Sequence, residues 1–360
     1  MLGRRKYIKI LTEIRDNQIT GGQKYNSILF SLINRSISNV EFLTDDKFIK
    51  TNVSILYNLI YFPLLFKRDM DILILDSRMY PRFFLISLLF RIFRLHVRII
   101  CIHHHFNFKA RQSILVKPFA YVLEMFFLLL CHEIVIPSRY SLELCRKLLP
   151  NKKSTLIPIG LKKDNIELVT IPEKSQKNLL FVGSMNRRKG IKYLILALSE
   201  IRGTDYILNL VGTFRDRGYV RCLKRLVRLY DLENNIIFLG RLQESELGNY
   251  FQDAYCFVFP SLYEGFGMVI AEAFSYGLPV IAFNNSAIPY LVEDQYNGYL
   301  VNNKNPKEFA SAIERIFSSR KEYLILRANA YNTYMKLPSY DEMVFNMENW
   351  IKTSLNKPEL

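Results

Sequence analysis

Residues 260 to 273, Pro260-Ser261-Leu262-Tyr263-Glu264-Gly265-Phe266-Gly267-Met268-Val269-Ile270-Ala271-Glu272-Ala273, hold two carboxylates eight positions apart around a glycine pair. The segment follows the apolar run Tyr255 to Phe259 and leads into a helical pattern, so it reads as strand, glycine loop, helix. Gly265 and Gly267, with Phe266 and Met268 beside them, let the backbone come close to a ligand, and free N–H groups at the helix start can receive a diphosphate. Glu264 in the loop and Glu272 in the turns behind it can hydrogen-bond the hydroxyls of one polar ligand, a sugar or a ribose. Taken alone, the segment is equally well explained as a glycine turn before an amphipathic helix with a surface glutamate.

Phe181-Val182-Gly183-Ser184-Met185-Asn186-Arg187-Arg188-Lys189-Gly190 gathers three cations in a glycine-bounded loop after another apolar run. Cations held in such a loop suit an anionic ligand, whereas outside it a basic run before a helix is usually a solvated face. His103, His104 and His105 end the apolar run Val97 to Ile102. Strand alternation sends His103 and His105 to one face, but no cysteine or carboxylate lies nearby in sequence, so a metal site is not expected. Asp69-Met70-Asp71 resembles a metal-holding DxD, yet it precedes its strand instead of following it, and reads as a solvated turn.

Short β-rich runs alternate with helical ones along the whole chain, the pattern of parallel sheets with covering helices. Strands are expected at Tyr7–Leu11, Asp71–Leu75, Val97–Ile102 and Glu133–Ile136, with helices from Gly22, over Pro81–Arg94, over Arg111–Cys131 and after Ser138. The rhythm breaks at 151–178 and resumes with strands at Leu179–Val182, Tyr206–Val211, Ile236–Leu239, Ala254–Phe259 and Pro279–Ala282. Helices are expected over Gly190–Ile201, Tyr219–Tyr230, Gly267–Tyr276, Ile288–Val292 and Pro306–Phe317. The expected organisation is a first domain over 1–155, a linker over 156–178, a second domain over 179–335 and a terminal helix over 336–360, for which the first domain is a candidate partner. Two doubly wound domains would place their strand ends across a cleft.

The 360 residues are 50% hydrophobic and 23% charged with mean hydropathy +0.05, which excludes disordered and fibrous classes. Five cysteines without paired spacing exclude a disulfide scaffold and a zinc ribbon. The amino terminus lacks the apolar core of a secretory signal, and the most apolar run, Pro118 to Cys131, is too short to span a bilayer, so a cytosolic location is expected. Of the net charge of +16, residues 1–160 contribute +13, with 24 Lys and Arg against 11 Asp and Glu. Such a surface suits an anionic partner: nucleic acid, lipid or small molecule. Arg82, Arg91 and Arg94, set among the aromatics of 62–108, mark a candidate membrane surface, with a buried helix bearing a solvated stripe as the alternative.

The segment around Glu264 resembles the E-x7-E region of glycosyltransferase family 4, the retaining enzymes of GT-B fold, also described as glycosyl transferases group 1. Four other stretches are similar in order and spacing: Phe181 to Gly190; Leu210-Val211-Gly212 with Phe238-Leu239-Gly240-Arg241; Ala273 to Ala282; and Asn297-Gly298-Tyr299-Leu300-Val301. Gly21-Gly22, Ile136-Pro137-Ser138 and Ile157 to Leu161 resemble it more loosely. Ser184 stands where many members have an arginine, and Asn285-Ser286-Ala287 where a glycine pair is common.

The resemblance implies an α/β GT-B protein, two Rossmann-like doubly wound domains facing each other across a cleft, which transfers a sugar with retention and without a metal or other cofactor. The donor is expected to be a UDP- or GDP-linked sugar and the acceptor a saccharide, lipid-linked, at the cytoplasmic face of an anionic membrane, in cell-surface polysaccharide or lipopolysaccharide assembly. Glu264 is expected near the reaction centre, Glu272 on the ribose, and Lys189 with a histidine, His103 before His104, as catalytic groups. Gly21, Gly22, Ser184, Arg187, Arg188, Gly212, Arg241, Gly265, Phe266, Gly267 and Met268 complete the expected donor contacts. Three other classes compete. A GT-B sugar-nucleotide epimerase would act on donor alone. An NAD-dependent enzyme would want GxGxxG, which Gly21-Gly22 lacks. A nucleic-acid-binding protein leaves the glutamate loop unexplained, and no nucleic-acid partner is expected.

Overall fold

In a computed structural model the described residues are 7–12, 21–44, 70–93, 96–111, 113, 115–163, 177–201, 205–214 and 216–355. They form two units, residues 1–162 with 338–360, and residues 163–337. Of the expected linker, 164–176 lies outside the described residues.

The first unit runs β1 (Ile8–Thr12), α1 (Gly21–Ser36), β2 (Val40–Thr44), β3 (Ile72–Asp76), α2 (Tyr80–Phe93), β4 (Arg98–Ile102), α3 (Asn107–Ala110), α4 (Val116–Leu130), β5 (Glu133–Ile136), α5 (Arg139–Leu148) and β6 (Ser154–Leu156). Its six strands lie in the order β2-β1-β3-β4-β5-β6, and every pairing is parallel. Parallel strands covered on both faces must be apolar throughout, which is why β3 reads ILILD and is buried end to end. Leu73, Leu75, Ile99 and Cys101 of the sheet pack with Phe90 of α2 and Phe127 of α4. The expected helix 111–131 starts later, at Val116, and a separate short turn, α3, precedes it; Glu124 of α4 reaches back to accept the backbone N–H groups of Asn107 and Phe108 at that turn.

The second unit runs β7 (Lys177–Val182), α6 (Ile191–Leu198), β8 (Tyr206–Val211), α7 (Arg217–Leu229), β9 (Ile236–Gly240), α8 (Glu244–Asp253), β10 (Cys256–Phe259), α9 (Met268–Ser275), β11 (Val280–Phe283), β12 (Gly298–Val301), α10 (Pro306–Ser318) and α11 (Arg320–Lys336). The sheet order is β12-β11-β10-β7-β8-β9, again all parallel. The order reverses between β7 and β10, which are neighbours although nearly eighty residues apart. In doubly wound sheets such a reversal, at the carboxyl ends of the strands, is where ligands are taken.

The last helix, α12 (Tyr340–Trp350), belongs to the first unit. It is anchored by Glu133, a fully buried carboxylate that accepts from Trp350 Nε1 at 2.9 Å, Thr155 Oγ1 at 2.9 Å and Lys153 Nζ at 2.7 Å. Arg98 donates both to Glu133, at 3.3 Å, and to the Ser354 carbonyl, at 2.6 Å. Burial alone would raise the Glu133 pKa, but Lys153 and the hydrogen bonds hold it below the usual carboxylate range. Trp350→Ala removes a buried indole and one donor to that carboxylate, so urea unfolding of the variant should show a loss of about 3–5 kcal/mol.

Candidate active site

The sheet order makes the loops after β7 and β10 neighbours, and their side chains converge on one atom. Glu264 Oε1 accepts from Lys189 Nζ at 2.6 Å, Arg188 Nη1 at 2.9 Å and Ser261 Oγ at 2.6 Å. Arg188 also donates to the Tyr263 carbonyl, and its own carbonyl accepts the Leu262 N–H at 2.8 Å. Gly190 permits this apposition: its φ of +66° is in the left-handed region, and a Cβ there would lie 1.9 Å from the Pro260 carbonyl oxygen. The Glu264 N–H donates to Ser286 Oγ at 2.8 Å, and Ser286 in turn donates to Asn285 Oδ1 at 2.8 Å. Ser286 holds a φ of +47°, a conformation for which glycine is the default, so its hydroxyl adds a fixed acceptor at a strained position.

Glu264 and Lys189 are each only 8% exposed. Burial would raise the carboxyl pKa, but Lys189 and Arg188 outweigh it and hold it at about 2. Burial lowers the Lys189 pKa, and Glu264 opposes that shift. The ammonium also lies 4.6 Å from the centre of the Phe259 ring, a second source of compensation. Two fixed cations and one anion leave the cluster with one positive charge, suited to an anionic ligand.

The other expected donor residues occupy varied positions. Gly183 and Ser184 follow β7, Gly212 follows β8, and Arg241, exposed, follows β9. Arg187 is exposed with its guanidinium 5.8 Å from the Tyr219 ring centre, so of the two arginines Arg188 is the one at Glu264. Gly265 and Phe266 are half-buried, and Gly267 caps α9 with no side-chain partner for the first turn. Met268 opens that helix, while Glu272 is exposed one turn further on.

In the first unit β4 ends at Ile102, so the three histidines follow the strand and do not alternate. His103 is fully buried against Phe106, ring centres 4.4 Å apart, and neither ring nitrogen has a hydrogen-bond partner among the described residues. His104 is half-buried and lies against Gly22 at the start of α1, with Gly21 beside it. Asn26 Nδ2 donates to Asp76 Oδ2 at 2.7 Å, which turns the Asn26 carbonyl oxygen toward His104 Nε2 at 2.8 Å. His104 therefore donates from Nε2 and keeps the Nδ1 lone pair. Asp76 is buried, and Arg78 pairs with it and holds its pKa down against the effect of burial. Asn26 and Asp76 escaped the sequence reading, and Ser261 and Ser286 were named in it without a role. Asp76 ends an apolar strand, and that position alone marked it.

Asp71 accepts the Tyr7 N–H at 2.8 Å, and Asp69 lies outside the described residues. Among the described residues no group of three or more His, Cys, Asp or Glu side chains could hold a metal ion, and no helix is long and apolar enough to cross a membrane. Arg91 is exposed and lies 2.7 Å from His132 Nε2; Arg94 and the side chain of Arg82 lie outside the described residues.

The second unit is thus a doubly wound sheet whose reversal brings together a basic glycine-bounded loop after its first strand and a glutamate loop after its fourth. Residues 163–333, nearly all of the second unit, match the sequence model of the family described as glycosyl transferases group 1. The O-antigen chain mannosyltransferase RfbU of Salmonella typhimurium is 30% identical over 186 residues, 51% of this chain and 50% of the relative. The chain spans 34% to 50% of the length of the first curated relatives it matches. The fold of sucrose-phosphate synthase from Thermosynechococcus elongatus matches with TM-score 0.78 and 19% identity, covering 98% of this chain and 99% of that one. HepE from Anabaena, solved with UDP and glucose, matches with TM-score 0.71 and 17% identity over 97% and 99% of the two chains. The overall fold is thus GT-B, two doubly wound α/β units.

Burial pushes the pKa of His103 down to about 3 and that of His104 down to about 4, from 6.5. Below pH 6.5 the unfolded chain binds protons that the folded chain refuses, so stability falls as pH drops from 7 toward 4. Glu264, at about 2 against 4.5 when free, adds a further loss below pH 4.5. Thermal unfolding should therefore fall between pH 7 and 5, and His103→Leu should flatten that slope; an unchanged slope would show that His103 is not buried neutral.

Proposed function

We propose that the chain is a retaining, metal-independent glycosyltransferase that moves a sugar from a UDP- or GDP-linked donor to a saccharide acceptor. The acceptor is a lipid-linked saccharide, in cell-surface polysaccharide or lipopolysaccharide assembly, and the protein works peripherally at the cytoplasmic face of the membrane. The observation that carries this reading is the convergence of Lys189, Arg188 and Ser261 on Glu264 at the reversal of the second sheet. The relation to an O-antigen chain mannosyltransferase and the fold shared with a protein solved with UDP and glucose support it.

Breaking the bond between the sugar and its diphosphate puts negative charge on the leaving phosphate. Arg188 and Lys189, fixed by Glu264 before the ligand arrives, stabilise that charge without reorganising, and uncapped N–H groups of α9 add partial positive charge. A carboxylate held at about 2 is a poor base and a poor nucleophile. The departing phosphate oxygen, of the class whose second pKa is about 6, is the better acceptor for the proton of the incoming hydroxyl. Attack on the face the phosphate leaves then gives retention. Glu264 Oε2, to which no described residue donates, is the oxygen that meets the sugar, and Glu272 meets the ribose. His104, neutral and with a free Nδ1 lone pair, is the histidine that meets the substrate in preference to His103.

Glu264→Gln should lower turnover about a hundredfold or more in a fold that survives, because the amide cannot balance two cations. Lys189→Ala should weaken nucleoside diphosphate affinity measured by calorimetry, and Arg188→Ala should do so more than Arg187→Ala. Wild-type turnover by Glu264→Gln, or unaltered diphosphate affinity in all three, overturns the assignment. Turnover should also persist in excess EDTA, since Arg188 and Lys189 supply the positive charge; a requirement for manganese or magnesium would refute that part.

A further inference from the structure

β10 and β11 are neighbours in register, Phe259 against Ala282, so the residues that follow them lie side by side at the carboxyl end of the second sheet. Asn285, Ser286 and Ala287, after β11, each engage one main-chain group of the glutamate loop. Asn285 Nδ2 donates to the Ser261 carbonyl at 2.9 Å, Ser286 Oγ accepts the Glu264 N–H at 2.8 Å, and the Ala287 N–H donates to the Glu264 carbonyl at 3.3 Å. Lys189, Arg188 and Ser261 donate to Oε1 of the same residue. Glu264 is thus held at its N–H, its carbonyl and one carboxylate oxygen, and Oε2 is the oxygen to which no described residue donates.

Proton order fixes the direction of these bonds. Asn285 Nδ2 carries two hydrogens, and its acceptors are the Ser261 carbonyl and Asn303 Oδ1, the latter at 3.0 Å, so both are spent and Asn285 Oδ1 is turned toward Ser286. A hydroxyl has one proton. Ser286 gives it to Asn285 Oδ1 at 2.8 Å, which leaves its lone pairs for the Glu264 N–H. The serine holds a φ of +47°, where glycine would be unstrained, and such a conformation persists only when several contacts determine it. A glycine there would keep the turn and lose the acceptor. The hydroxyl is what the strained residue adds.

We propose that Ser286 and Asn285 are positioning residues that act through Glu264: the serine hydroxyl, its proton drawn away by Asn285, fixes the Glu264 main chain and with it the direction in which Oε2 meets the donor sugar. The effect on turnover rests on the transferase reading above, whereas the clamp on the Glu264 N–H is a property of the free protein and is measured without substrate.

Amide hydrogen exchange on the ligand-free chain tests the clamp. The Glu264 amide should be protected in wild type and exchange about tenfold or more faster in both Ser286→Gly and Ser286→Ala, although Ser286→Gly, freed of strain, should unfold at the higher temperature of the two. Asn285→Ala should speed that exchange as well. Release of nucleoside diphosphate from UDP-glucose, UDP-galactose, UDP-N-acetylglucosamine and GDP-mannose then tests the consequence. Both Ser286 variants should lose about tenfold or more in kcat, the scale of a small misplacement of a reacting group, while calorimetric affinity for UDP or GDP stays within about twofold because Arg188 and Lys189 remain. In a Glu264→Gln background Ser286→Gly should add little further loss, since nothing is left for it to position. Equal Glu264 exchange in wild type and Ser286→Gly, wild-type kcat in Ser286→Gly, or full additivity with Glu264→Gln overturns the proposal, and wild-type exchange in Asn285→Ala removes Asn285 from it. Release from none of the four donors by wild type would count instead against the transferase reading, and the exchange result would still decide the clamp.

Discussion

The candidate site of the second unit is organised around one ionic contact, Lys189 Nζ to Glu264 Oε1 at 2.6 Å. Neither partner tolerates burial alone: an unpaired ammonium or carboxylate with 8% exposure would change its protonation state or draw in water. The pair joins loops separated by 75 positions, and only the adjacency of β7 and β10 brings them together. Gly190, Ser261 and Ser286 are then constrained in turn. The first must lack a Cβ, the second must donate to Oε1, and the third must accept the Glu264 N–H.

The same contact decides which chemistry the carboxylate can do. With three donors on one oxygen, Glu264 stays ionised far below neutral pH, so it serves as a fixed charge and orienting group instead of a proton carrier. His104 is handled in the opposite sense. Burial and Arg78 keep it neutral despite the Asp76 carboxylate, and Asn26 separates the two side chains so that Asp76 orients the ring without protonating it. A buried carboxylate held charged and a histidine held neutral are both states that pH near 7 does not disturb.

Most of the central strands were legible because strands buried on both faces are unbroken apolar runs, as in Ile72–Asp76 and Cys256–Phe259. The strands that escaped, Val40–Thr44, Ser154–Leu156 and Gly298–Val301, all lie at sheet edges, where only one neighbour sets the pattern and a short strand with Glu41 or Ser154 reads as loop. Among the site residues, Lys189 and Glu264 were legible as types in glycine-flanked loops. Their pairing with each other was not, because it follows from the strand order, which leaves no mark in local composition. The Asn26 link was equally hidden: an asparagine inside an amphipathic helix carries no sign that a strand end 78 positions away will reach it.

Net charge proved a coarse guide to where the cations act. The half that carries +13 exposes Arg91, Lys109, Arg111 and Lys117 to solvent, where attraction extends about 8–10 Å and salt erases it. The half that is nearly balanced holds Arg188 and Lys189 at a buried carboxylate, where low polarizability makes each contact strong and salt has little access. The two kinds of positive charge therefore differ in range, in strength and in their response to ionic strength. Long-range attraction to an anionic surface can fail in high salt while the buried cluster, and whatever anion it holds, remains in place.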